Sequence, residues 1–448
     1  KPNVSRCQMF QKTVTILLLL SASFAQGDSR SDWTQFRGPE GRGVTSSSLA
    51  LEWSGSNHVE WTSSVPGAGW SSPVVSNGRI WLTTAVHEGQ KRPLGFQAGA
   101  RSMGTFRKDA NNLKMTEFRV LCLNLDSGKT LWSATPSKAI PAFGIHPSNT
   151  YATESPVTDG EHVFVYFAAA GEVSCLDRDG KVVWKTATGK YGFGKGFGSG
   201  SGLAISDGLV FVQCDNDDSS YVVALDTVTG EERWKKDRDT RTSWSTPLLW
   251  QSGYGSHLVI AGAGHVAGYN PADGELLWKL NGFSGSFSGS PAWDGDYLFF
   301  GNSGPRSTGP LIAVKGNASG ELTMTRNQAK DWAIWSKSGA GPGLASPVAH
   351  QGLLYVINGS VLKCYQGSTG KRLYEERLPG AGRMAASLLI AGDYLYALDE
   401  DGRTFVVKTG PEFECVSVNK IDDLFWSTPS VAGERLLLRG ADRLYCIN

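Results

Sequence analysis

The chain has 448 residues, of which 19% are charged, and its 43 Lys and Arg against 42 Asp and Glu leave a net charge of +1. That balance excludes a dedicated nucleic-acid or anionic-membrane surface, either of which needs an excess of basic side chains. With 55 Gly and 15 Trp the composition suits an all-β chain with many tight turns, and the length fits one large repeat domain.

At the N-terminus, Lys12 is followed by the apolar run 14–20 and then by Ser23-Phe24-Ala25. A basic residue, a short apolar core and small residues at a cleavage point describe a secretory signal peptide over residues 1–25, cut after Ala25. The run is too short to span a membrane. The chain opens on Lys, so Met9 is a candidate start, and Cys7 precedes the apolar core, where an acylated lipoprotein cysteine would not sit. The expected location is the periplasm or cell envelope.

Residues 26–58 read as an N-terminal extension and 59–448 as a repeat domain. The repeat is a Ser/Thr/Pro-type lead-in, then strands closed by Gly-containing turns. The lead-ins fall at Pro73, Pro156, Pro247, Pro291, Pro347 and Pro429, with degenerate copies near Ala204 and Ser387. Copies roughly 40 to 50 residues apart, each with four short strands, are the signature of propeller blades. The longer steps after Pro73 and Pro291 read as insertions, about 87–119 in blade 1 and 301–335 in blade 5. The last copy supplies three strands before Asn448, while Val59-Glu60-Trp61 is a strand without a partner. The expectation is therefore an eight-bladed β-propeller of four-stranded antiparallel blades, closed by the N-terminal strand. Seven blades plus a cap is the alternative.

The blade 1 insertion carries Lys91, Arg92, Arg101, Arg107, Lys108, Lys114 and Arg119 against Glu88, Asp109 and Glu117. It reads as a solvated loop, or as a docking loop for an acidic partner. The Gly-rich stretch 189–202 has no helix after it, so it reads as the link between blades 2 and 3 and not as a phosphate cradle. Asp215-Asn216-Asp217-Asp218 lacks the spacing of a calcium loop and reads as a polar hairpin. Cys175, Cys364 and Cys446 share one position of the third strand, held by Ala224 in another copy. A small apolar slot explains them better than disulfide pairing.

In the copies ending at Trp132, Trp184, Trp234 and Trp278, the best-formed pattern is Ala224, Asp226, Thr229, Gly230, Trp234. It resembles the tryptophan-docking repeat of the pyrroloquinoline-quinone (PQQ) propeller family, which includes quinoprotein alcohol dehydrogenases and the outer-membrane assembly lipoprotein BamB. The resemblance implies that these four Trp are structural. Residues 32–44 and 145–160 resemble segments of exported propellers from planctomycete-type bacteria. A quinoprotein of this family would hold PQQ on the axis under a disulfide of adjacent cysteines, beside calcium. No two cysteines here are adjacent, and no zinc motif, HExxH or GxSxG is present.

What remains is the axial mouth. Trp70, Trp244 and Trp426 stand three residues before their lead-in prolines, with Phe287 and Arg241 near the same rim, and His146 and Tyr151 in the link to blade 2. These seven residues are the candidate ligand-binding set, suited to a flat or sugar-ring ligand, or else pack between blades. No catalytic residue, metal ligand or cofactor is assigned. The reading is a monomeric, non-catalytic scaffold for envelope proteins or a polymer, without nucleic acid or membrane span. The alternatives are a PQQ- and calcium-dependent oxidoreductase with an altered site, and a carbohydrate-binding propeller.

Overall fold

Blade 3 shows how the repeat folds. Its strands Leu203–Ser206, Leu209–Cys214, Tyr221–Asp226 and Glu232–Asp237 form an antiparallel meander. Asp207 and Gly208, both at positive φ, make the first turn, as a two-residue hairpin between right-twisted strands requires. Because side chains alternate across a sheet, Val210, Val212, Val223 and Leu225 join the apolar cluster shared with blades 1 and 2. Phe211, Val222 and Ala224 face the cluster shared with blade 4. Both faces are buried, so the core of the molecule lies between blades.

In the computed structural model, which describes residues 32–55, 57–101, 113–304, 307–323 and 332–448, eight such sheets form a ring. They span 74–139, 157–187, 203–237, 248–281, 292–337, 348–377, 389–420 and 430–447, the last completed by Val59–Ser64. Val59–Ser64 pairs antiparallel with Arg443–Ile447, so the expected eight blades and the closure by the N-terminal strand are both present. The signal-peptide residues lie outside the described residues, as do Arg107, Lys108 and Asp109 of the blade 1 insertion. The two degenerate lead-ins are each one residue from expectation. Leu203 and Leu388 take the proline position, in place of Ala204 and Ser387, because Gly202 and Ser387 carry the belt contacts described below.

The Trp–Gly signature binds several blades to the next. Trp132 donates to the Arg178 carbonyl, Trp184 to Thr227, Trp234 to Pro271 and Trp61 to Leu125, each within the last turn of the following blade. Gly230, at φ +73°, lies so close to Trp184 that a Cβ would stand 2.5 Å from the indole, so only glycine fits both the bend and the contact. The bulge that breaks strand register beside these tryptophans turns the indole outward. Facing the indole across the strand pair stands a small residue: Cys122, Cys175, Ala224 or Cys446. All six cysteines of the described residues are free. Trp278 sits differently. It is fully buried, donates to His257 Nδ1, and has Gly320–Thr323 of the blade 5 insertion paired parallel alongside it. The insertion thus becomes a fifth strand of blade 4, where the docking turn would otherwise stand.

The N-terminal segment crosses the ring. Trp33 bridges Val75 in blade 1 and the Thr34 carbonyl accepts from Thr158 in blade 2. Arg37 donates to Pro291 and Pro347 in blades 5 and 6, on the opposite side. Val44–Thr45 then pairs parallel with the inner strand of blade 7. This path closes one end of the central channel.

Candidate functional site: the axial well

Just ahead of each inner strand the chain faces the axis, and seven of eight blades place a hydroxyl there. These are Ser72, Ser155, Thr246, Ser290, Ser346, Ser387 and Thr428, with Gly202 in blade 3, and all seven hydroxyl residues are buried. In six of the eight blades the backbone N–H donates to the hydroxyl of the next. Gly202 donates to Thr246, Thr246 to Ser290, Ser290 to Ser346, Ser346 to Ser387 and Ser387 to Thr428, at 2.8–3.1 Å. Ser72 N likewise donates to Ser155 Oγ. At the junction of blades 8 and 1, Arg439 instead donates to the carbonyls of Ser71 and Thr83. The belt is therefore structural, and six of its seven hydroxyl oxygens serve as acceptors.

Above the belt lies a well of about 450 Å³. Its base is Phe36 from the crossing N-terminal segment, and all seven belt hydroxyl residues line its wall. Its rim is a continuous aromatic arc. Trp70 stacks on Trp426, Trp426 on Phe96, Phe96 on His146 and His146 on Phe197, whose edge meets Trp244. Phe96 belongs to a six-residue helix, Phe96–Arg101, so the blade 1 insertion reaches the mouth instead of standing wholly in solvent. Arg383 lies 3.9 Å over the Phe96 ring and is, among the described residues, the one Lys or Arg of the lining. Burial lowers the pKa of its guanidinium, and Glu400 opposes that shift.

Of the seven candidate residues, Trp70, His146, Trp244 and Trp426 line the well. Three do not: Tyr151 packs against Phe143, Phe287 is buried against Phe283 while its carbonyl accepts from Trp244 N, and Arg241 is exposed. The rim tryptophans are also anchored between blades, Trp70 donating to Ser148, Trp244 to Gly198 and Trp426 to Glu400. Packing and lining are thus one arrangement. Sequence reasoning missed Phe36, Phe96, Phe197 and Arg383, which lie in non-repeating segments. It also missed the belt, although the recurring Ser or Thr before the lead-in proline carried that signal.

Behind the wall, Glu154 is fully buried with its Oε1 accepting from Ser199 Oγ and its Oε2 unpaired. Burial pushes its carboxyl up to about 7 from 4.5, against the opposing hydrogen bond from Ser199. The folded protein therefore holds a proton that the unfolded chain releases between those values. The stability this group contributes is full below about pH 4.5 and is lost as pH rises to about 7, roughly 3 kcal/mol in all. Glu154→Gln is expected to abolish that loss, and urea unfolding at pH 5 and pH 8 measures it; an unchanged pH dependence in the variant would exclude Glu154 as its source.

A ring of eight four-stranded blades, docked Trp on Gly and enclosing an axial well, is the architecture of PQQ-like propellers. The family profile described as outer membrane protein assembly factor BamB matches residues 116–285 and 169–331. The repeats of this chain are of that PQQ-like, BamB type. Outer membrane protein assembly factor BamB of Burkholderia pseudomallei (strain K96243) is 24% identical over 257 residues, 53% of this chain and 62% of the relative. The match thus spans less than two thirds of that relative. The crystal structure of BamB from Moraxella catarrhalis has a TM-score of 0.53 at 14% identity, covering 82% of this chain and 99% of that one. Quinohemoprotein alcohol dehydrogenase from Comamonas testosteroni has a TM-score of 0.60 at 12% identity, covering 94% and 81%. At such identities these structures share the fold alone.

The dehydrogenase likeness raises PQQ with calcium, and the residues present do not fit it. Among the described residues no Asp or Glu lines the well, so neither a carboxylate ligand for calcium nor a carboxylate base faces the axis. Among the described residues, no group of three or more His, Cys, Asp or Glu could hold a metal ion. No helix among them is long and apolar enough to cross a membrane.

Proposed function

We propose that this chain is a non-catalytic binding propeller of the cell envelope that takes its ligand in the axial well. The observation that carries the reading is the well itself: closed at its base, rimmed by stacked aromatics, and lined by hydroxyls with no carboxylate among the described residues. Such a wall can stack on and hydrogen-bond a ring-bearing group, and among the described residues it offers no carboxylate to act as base or to hold a metal ion. The relative's role in outer membrane protein assembly supports an envelope protein or polymer as the source of that group. The signal-like N-terminus supports export.

The test is to titrate the purified protein with PQQ, with and without calcium, while following dye-linked oxidation of an alcohol and sugar panel, and separately with ring compounds while following tryptophan emission. The expected result is no turnover in the first arm, and in the second saturable emission changes that disappear in Trp244→Ala. Calcium-dependent turnover would overturn the reading in favour of an oxidoreductase.

A further inference from the structure

Six of the seven belt oxygens are used as acceptors, but their protons are not. Among the described residues, none of the seven hydroxyls donates to a protein acceptor, and the hydroxyl of Ser72, 1% exposed, has no hydrogen-bond partner at all. These residues line the well, so their hydroxyl protons are available to a ligand seated there. Seven hydroxyl protons surround one space, and no Asp or Glu of the described residues lines it.

Behind the belt stand two guanidiniums and one carboxyl, that of Glu154, which burial pushes up to about 7. Arg37 and Arg439 are both fully buried, and neither forms an ion pair with a carboxylate of the described residues. They are held by carbonyls of residues adjoining the belt: Arg37 by Pro291 and Pro347, beside Ser290 and Ser346, and Arg439 by Ser71, beside Ser72. Burial pulls each guanidinium down to about 9, which still leaves both charged at neutral pH. Two guanidiniums without a carboxylate partner outweigh the one partly protonated carboxyl of Glu154 and favour an anion at the base of the well, while Arg383 at the rim is offset by Glu400. The well presents donors and positive potential, with an apolar collar above.

We propose that the base of the axial well is an oxyanion site, in which a phosphate, sulfate or carboxylate group seats on the hydroxyl belt. A ring bearing that group would extend upward between Trp70, Trp426 and Trp244. The inference rests on the axial-well reading and adds the ligand's chemical class: an acidic group, free or carried on a ring.

The test uses the full chain at constant ionic strength, with inorganic phosphate and phenyl phosphate as probes followed by ³¹P NMR, and a neutral phenyl glycoside followed by tryptophan emission. Affinity is read directly because phosphate raises melting temperatures by exclusion from protein surfaces in general. Ser72→Ala is the informative variant, since its hydroxyl accepts no backbone bond and its loss leaves the belt intact. The expected result is saturable binding of both phosphates, tighter for phenyl phosphate, with Ser72→Ala weakening each about tenfold and leaving thermal unfolding unchanged. Equal affinity for the two phosphates would keep the oxyanion site and assign it to the free ion. Binding of the neutral glycoside with no binding of either phosphate would overturn the oxyanion site while leaving the well as a ligand site. Failure of all three probes would overturn both.

Discussion

Deleting residues 59–65 is expected to abolish the cooperative thermal transition of the whole ring, although the segment is remote from most of the chain in sequence. The outer strand of blade 8 is Val59–Ser64, and its Trp61 docks on blade 1 through the Leu125 carbonyl. Arg435 clamps the same strand through Glu60 and reaches Asp126 of blade 1. Without the strand, the edge of Arg443–Ile447 is bare and the seam between blades 8 and 1 loses its outer contacts. Loss of Trp61 alone should cost about 3–5 kcal/mol, and the unpaired edge adds to this and invites association. Circular dichroism melts and size-exclusion chromatography measure both consequences. An unchanged melt in a monodisperse deletion variant would show that closure does not depend on this strand.

Arg238→Met is expected to lower the unfolding free energy by about 3–5 kcal/mol. Arg238 and Asp215 have no exposed side-chain surface, and Nε meets Oδ1 at 2.8 Å while Nη2 meets Oδ2 at 3.3 Å. Gln213 donates to the same carboxylate and to Ala261 of blade 4, and Arg238 also donates to Tyr269 there. The pair thus fastens blade 3 to blade 4 from inside. Methionine fills the space but leaves the carboxylate buried with Gln213 as its remaining side-chain donor, and the stranded charge is what destabilises. Adding Asp215→Asn removes that charge, so the double variant is expected to recover at least half of the loss. A urea double-mutant cycle decides it; a single variant as stable as the parent would show that the pair does not hold the seam.

The stretch 215–218 illustrates how far sequence reasoning reached. Its place in a hairpin followed from the flanking strand pattern, and the structure has it between Leu209–Cys214 and Tyr221–Asp226. That Asp215 is buried against Arg238 could not be read, because nothing local marks two charged residues of one blade as sharing a dry seam. The candidate site divides the same way. Trp70, Trp244 and Trp426 occupy one repeat position, so a single argument found all three. Phe96, Phe197 and Arg383 come from an insertion and two links, where no period exists to align them.

Sequence alone determined the blade count, the strand that closes the ring and the docking of Trp132, Trp184 and Trp234. Each is written in a repeat, and a repeat states the same local geometry several times over, so errors in one copy are corrected by the others. Tertiary structure alone decided that the channel becomes a closed well. Arg37 reaches carbonyls 254 and 310 positions away, across the ring from where its segment begins. Trp278 likewise exchanges its turn for the strand Gly320–Thr323 only because an insertion from the next blade folds back on it. Such contacts are chosen by the shape of space left once the blades have packed, and no local pattern of residues encodes that space.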